Sequence, residues 1–275
     1  FLGAVTAGGN SNVSISAGNA VAASAAGLIT GNVLNISANT SATLFTNVAS
    51  IEGTIDNGFL DVTETNDLSI TANGVSTPLG NTTITLTNGN LTGAGNITAD
   101  QRMTLSAVNG SIVLNAAGQL LTADRLVLAA QNGAFVRTSV DEIMATVSAG
   151  GLDLSQATKA IDVIGVTANG AVSVAVGTGN ITGSGALDAG VGNVVLAASA
   201  GDIAYDTRLI SGNVLTATAS GNIALNTSVT TLVANAAGGT LGVLEQNGLA
   251  IGAANVTAFG NIDINLAAGS LTGAG

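Results

Sequence analysis

Three related hexapeptides, NLTGAG from Asn90, NITGSG from Asn180 and SLTGAG from Ser270, are spaced by 90 residues each time. A chain that repeats itself at a fixed interval folds as a series of similar units that bury their apolar faces on one another. The match continues in register upstream of each hexapeptide. Ile84, Val174 and Ile264 correspond, as do Leu86, Val176 and Leu266, then Leu91, Ile181 and Leu271. These nine residues are the expected core columns. Three diverged units, approximately 1–95, 96–185 and 186–275, fill the 275 residues and are expected to form a single continuous domain. The chain opens FLGAVTAGGN, and Gly275 falls on a unit boundary, as expected of an internal piece of a longer polypeptide.

A shorter period lies inside each unit. Gly-Asn or Gly-Asp followed by a β-branched residue recurs at Gly192, Gly201, Gly212, Gly221 and Gly260. Alternate members are about 20 residues apart, the length of one coil of a stacked β-solenoid. Between these corners run short alternating segments such as Val172–Val176 and Ile262–Leu266. Period-two alternation bounded by Gly and Asn reads as a strand with one buried face, and Gly and Asn suit sharp corners. The pattern predicts an all-β fold, a right-handed parallel β-helix of about 14 coils of roughly 20 residues, rising about 4.8 Å per coil. Ala20–Leu28, Ser155–Ile164 and Val140–Val147 have mixed propensity and are assigned to strands by repeat register. Pro78 marks an outward loop.

Composition supports a narrow core. Hydrophobic residues make up 47% but aromatics only 2%, so the apolar content is almost entirely Ala, Val, Ile and Leu, which fill a slim prism. There is no His and no Cys, which excludes Ser-His-Asp and Cys-His catalysis and the usual zinc, haem and iron–sulfur ligand sets. Five Lys and Arg against 16 Asp and Glu give a net charge of -11. That balance argues against nucleic acid and anionic membrane surfaces, both of which need clustered bases. No apolar run is long enough to insert into a membrane.

The Gly-Asn/Asp-Ile/Val corners, the Ala/Thr/Asn-rich alternating strands and the LTGAG-type closures resemble the repeat region of filamentous haemagglutinin-like exoproteins. These are large bacterial surface or secreted adhesins. The resemblance implies a right-handed helix, an extracellular or cell-surface location, and a role as a shaft or adhesive filament.

Four groups of residues are candidates for more than packing. The corner asparagines Asn193, Asn213, Asn222 and Asn261, with Asn32, read as turn residues whose amides bond neighbouring coils. Asp56, Asp61, Glu64 and Asp67 form an acidic stretch, read as a solvated face or, less favourably, a Ca²⁺ site. Asp141, Glu142 and Asp153 offer carboxylates to a polysaccharide-active enzyme, the least favoured reading. Tyr205 and the phenylalanines Phe1, Phe45, Phe59, Phe135 and Phe259 supply no repeated row for sugar stacking. The expected function is therefore a non-catalytic, stiff, extracellular shaft that needs no cofactor. Its expected partners are further copies or adjacent repeats of a longer chain, with a host or cell-surface glycan or receptor on a lateral face as the alternative.

Overall fold

The structure, a computed structural model, describes residues 2–8 and 10–273; Phe1 and Gly275 lie outside the described residues. The chain is all-β: parallel strands wind into a β-helix of about 13 turns, close to the 14 expected. Among the described residues the only helical element is a 3₁₀ turn at Ala25–Gly27. That turn corrects the strand assignment over Ala20–Leu28, where the strand ends at Ala22. The segment Ser155–Ile164 is likewise two strand ends joined by a corner, with strands Leu152–Gln156 and Ile161–Ala168. Pro78 sits in an exposed turn, as expected.

The fold divides into two compact units, Phe1–Val140 and Asp141–Gly275. In the first, strand alternation turns every second residue inward, and equivalent inward residues of successive turns stack. One column runs Leu44, Val62, Ile84, Leu105 and Leu128, all buried. A second runs Leu68, Leu91, Ile112 and Ala134. Turn length varies, from 17 residues between Leu34 and Ile51 to 24 between Ile97 and Leu121.

The second unit is built alike. One column runs Leu154, Val174, Leu196, Ala217, Ala234 and Val256. Another runs Ile161, Ile181, Ile203, Ile223, Leu241 and Ile262. A third runs Tyr205, Leu225, Val243 and Ile264.

These columns correct the sequence reading in two ways. Val174 and Ile264 are repeat equivalents, yet they stand in different columns of the second unit. Climbing from Val174, four turns reach Val256, and Ile264 lies one strand further round. The 90-residue repeat is thus not a whole number of turns, and equivalent residues rotate to a neighbouring face. Val176 and Leu266 separate for the same reason, the first leading to Ala198 and Ala219, the second lying on Glu245. Ile181 and Leu271 also part, since the column of Ile181 arrives at Ile262 while Leu271 lies on Leu249.

The second correction concerns burial. Ile84, Leu86, Leu91, Val174, Val176 and Ile181 are buried. Ile264 and Leu266 are only half-buried and Leu271 is exposed. All three belong to the last described turn, where the strands Ile262–Leu266 and Leu271–Gly273 pair with a neighbour on one side only. A residue in a stack of turns is covered from both sides only when a turn lies above it as well as below.

Candidate functional site

The most site-like feature is a polar groove of about 450 Å³ on the lateral surface of the first unit. Glu52 lines it together with Asn35, Ser37, Thr54, Asn73 and Thr98. Register irregularity creates the space. Ile51 pairs with Ile70, but Gly53 pairs with Val75, so the upper turn carries three extra residues that swing outward. Gly53 is required there. Its φ is +146°, and a Cβ would fall 1.9 Å from the Ile36 carbonyl oxygen.

The Glu52 carboxylate is held from three sides. Asn35 Nδ2 donates to Oε1 at 2.8 Å, and Thr71 Oγ1 and Asn73 Nδ2 donate to Oε2 at 2.5 and 2.9 Å. These bonds, the Thr71 hydroxyl foremost, hold its pKa below the usual glutamate value. The residue is therefore a fixed anion at neutral pH. The groove offers amides, hydroxyls and one carboxylate, the donor and acceptor set that recognises neutral polyhydroxyl compounds. The signal in the sequence is Asn35, Glu52 and Asn73, one turn apart each time. It is invisible until the turn length is known.

The acidic stretch separates in space. Asp56 lies at an exposed corner, and Asp61 points outward from the strand Leu60–Glu64. Asp67 Oδ1 accepts the Asn90 backbone N–H at 2.6 Å. Glu64 points the other way and is fully buried. Its Oε2 accepts the Val48 N–H at 3.1 Å, and its Oε1 accepts the N–H groups of Thr65 and Asn66 at 2.7 and 3.3 Å. Desolvation raises its pKa above the ordinary value, against the opposing pull of these bonds. Among the described residues no three acidic side chains gather closely enough to hold a metal ion.

The second unit repeats the Glu64 arrangement. Glu245 is buried, Thr227 Oγ1 donates to its Oε2 at 2.8 Å, and the N–H groups of Gln246 and Asn247 reach Oε1 at 3.0 and 3.2 Å. Thr46 and Thr227 are the cross-turn partners of Glu64 and Glu245. Both carboxylates thus close a corner by accepting backbone N–H groups that strand pairing leaves over. At the matching strand end Gln156 is also buried, and its Nε2 donates to the carbonyls of Lys159 and Ala160 at 3.0 and 3.1 Å.

Asp141 pairs with Lys159 Nζ at 2.8 Å, and Asp153 faces solvent from the strand Leu152–Gln156. Glu142 is the cross-turn partner of Asp162, whose Oδ2 accepts Ser184 Oγ at 2.6 Å. Tyr205 is turned inward and donates from its hydroxyl to the Gly185 carbonyl at 2.7 Å. Burial first, and the nearby Asp162 second, hold that phenol well above its ordinary pKa.

The corner asparagines behave as a ladder. Asn193 Oδ1 accepts the Val214 N–H at 3.3 Å and Asn213 Nδ2 at 3.4 Å. Asn222 Oδ1 accepts the Thr240 N–H at 3.0 Å. In the first unit Asn12 and Asn81 bond the N–H groups of Val33 and Arg102 at 3.3 and 3.0 Å. Asn261 holds the same corner on the last turn, where its carbonyl oxygen accepts the Leu241 N–H from the turn below at 2.9 Å.

No protein-family model matches the chain, and comparison with curated proteins and with solved structures finds no match. No helix among the described residues is long and apolar enough to cross a membrane.

Proposed function

We propose that the chain is a non-catalytic structural segment of a long extracellular bacterial adhesin or surface filament, acting as a stiff β-helical shaft. The observation that carries this reading is the use made of polar side chains. Glu64, Glu245, Asp67, Asn193, Asn213 and Asn222 are all committed to bonds between or within turns. Stacked turns of small aliphatic residues add stability with every neighbour and extend the fold at about 4.8 Å per turn. The resemblance to filamentous haemagglutinin-like repeats supports the extracellular setting. The reading is tested by placing the chain between a bilayer-anchored domain and a fluorescent tag and measuring the tag's height. Duplicating one 90-residue repeat should raise the tag by about 20 Å, given the rise per turn; an unchanged height would reject the shaft.

A second reading, a lateral binding module, is favoured by the Glu52 groove. Its lining suits a neutral oligosaccharide held by hydrogen bonds. Titration calorimetry against neutral oligosaccharides, with Asn35→Ala and Asn73→Ala as controls, tests it. Binding lost in both variants supports the groove, and no heat at millimolar ligand rejects it. A polysaccharide-active enzyme ranks last, and reducing-end release abolished by Asp153→Ala would reverse that order.

A further inference from the structure

We infer that the Glu52 groove takes a linear, neutral, β-1,4-linked glycan lying along the axis of the β-helix, one sugar to a turn, and that Glu52 positions the groove's amides for it. That assignment rests on the lateral-binding reading above and narrows it to one class of ligand.

Two outward-facing columns of polar residues run up the groove. Strand pairing sets Ser37 opposite Thr54, Thr54 opposite Ser76 and Ser76 opposite Thr98 on successive turns. Along the other edge Asn35 is opposite Glu52, and Asn73 and Asn96 continue the lining on the next two turns. Between the columns the inward residues Ile36, Val75 and Ile97 are buried. Gly53 and Gly74 also line the groove and carry no side chain to fill it. The site therefore repeats at the turn spacing, about 4.8 Å, over four turns. Turns lie on both sides of it, with Ser14 and Ser16 paired beneath Asn35 and Ser37, and Thr122 paired above Thr98.

Glu52 decides what the groove offers. An ionised carboxylate only accepts, so Asn35 and Asn73 both turn Nδ2 toward it, and each keeps Oδ1 as an acceptor for a ligand. Asn96 has the opposite orientation. Its Oδ1 accepts the Leu120 N–H at 2.8 Å, which leaves Nδ2 as a donor. The hydroxyls of Ser37, Thr54, Ser76 and Thr98 make no bond to protein among the described residues, and each can donate or accept. The partner that satisfies this set carries closely spaced hydroxyls. It is also uncharged: no base lines the groove, Glu52 is a fixed anion, and the net charge of -11 repels an acidic polysaccharide.

Shape selects the linkage. A chain of β-1,4-linked pyranoses is a flat, extended ribbon that advances by close to one turn height per sugar. It shows hydroxyls on both edges, one edge for each column. An α-1,4-linked chain curls into a helix and leaves the columns after one or two sugars. From Asn35 to Asn96 the groove spans three turn heights, about 14 Å, which is room for about four sugars. No aromatic ring lines it, so binding draws on hydrogen bonds without stacking and is weak.

Titration calorimetry with a β-1,4 gluco-oligosaccharide series of two to six sugars tests this, with the α-1,4 tetrasaccharide as the comparison. Affinity should rise about tenfold from two to four sugars and stay flat beyond, and the α-1,4 tetrasaccharide should bind about tenfold more weakly than its β-1,4 counterpart. Glu52→Gln keeps the size of the side chain but adds a donor, so one facing amide has to reverse. The four-sugar affinity should then fall about fivefold and the preference for the β linkage should shrink, while the urea midpoint barely moves. Should Glu52→Gln unfold more readily, Thr98→Ala decides instead, since it breaks no side-chain bond among the described residues and should remove only the gain from the last sugar. Affinity that ignores chain length or linkage, or that neither variant changes, overturns the inference. Linkage-blind binding that Asn35→Ala and Asn73→Ala still abolish would overturn it and leave the lateral-binding reading standing, whereas no heat with any neutral oligosaccharide removes both.

Discussion

The strands Val172–Val176 and Ile262–Leu266 stand ninety residues apart with the same alternation, yet the first is buried on its inner face and the second is half open. The first lies between Leu152–Gln156 and Val194–Ala198, while the second rests on Leu241–Glu245 alone. The difference shows that burial in this fold is conferred by the next turn, not by the strand's own sequence. A helix bundle or sandwich buries a residue against several distant elements. Here two neighbours supply nearly everything, so energetic consequences should follow the number of covered sides.

Charge placed in the two strands should break the symmetry most strongly. Val174→Asp buries an unpaired carboxylate between two turns and should destabilise by about 4 kcal/mol or more, whereas Ile264→Asp, open to water on one side, should cost about 1 kcal/mol. Urea unfolding followed by circular dichroism reads both. Next in size is a pair of glycines. A Cβ on Gly183 would meet the Tyr205 ring at 2.4 Å, while nothing lies within 4 Å of one on Gly273. Gly183→Ala should therefore cost about 2–3 kcal/mol and Gly273→Ala almost nothing. Equal effects would mean that Tyr205 is not packed on Gly183.

The inward and outward acids sharpen the contrast further. Glu64→Ala leaves the Val48 N–H without its acceptor and should cost about 2 kcal/mol. Glu64→Gln, which removes a desolvated charge, should change stability by about 1 kcal/mol or less, and Asp61→Ala by about 0.5 kcal/mol or less. The smallest effect is in pH dependence. Burial raises the Glu64 pKa in the folded state, so between the unfolded and folded values the native chain binds the extra proton. Glu64 thus favours folding fully below its unfolded pKa, and that contribution is lost as pH rises through the folded value. Relative to the parent, Glu64→Gln should flatten the stability profile across that window. An identical profile would contradict a buried Glu64.

Much of this was legible beforehand. Alternation between Gly and Asn corners specifies parallel turns, and the side chains of Asn193, Asn213 and Asn222 bond as their positions suggest. Even Glu64 could have been placed, because it shares parity with Leu60 and Val62, just as Glu245 does with Leu241 and Val243. Reading it as part of an acidic stretch weighed charge above parity. Column membership was hidden for a different reason. The repeat length is exact in sequence, but turn lengths vary locally, so only pairing registers reveal that Val174 leads to Val256 and not to Ile264. The Glu52 groove was hidden likewise, since it depends on the three-residue irregularity between Ile70 and Val75.

Cross-turn register is the claim on which all of this stands, and one engineered disulfide tests it directly. Ser173 and Val195 are opposed on adjacent turns of the second unit. A Ser173→Cys/Val195→Cys chain should oxidise rapidly within itself while folded and gain resistance to urea. A folded variant that stays reduced under the same oxidant would contradict the stacking of turns described above.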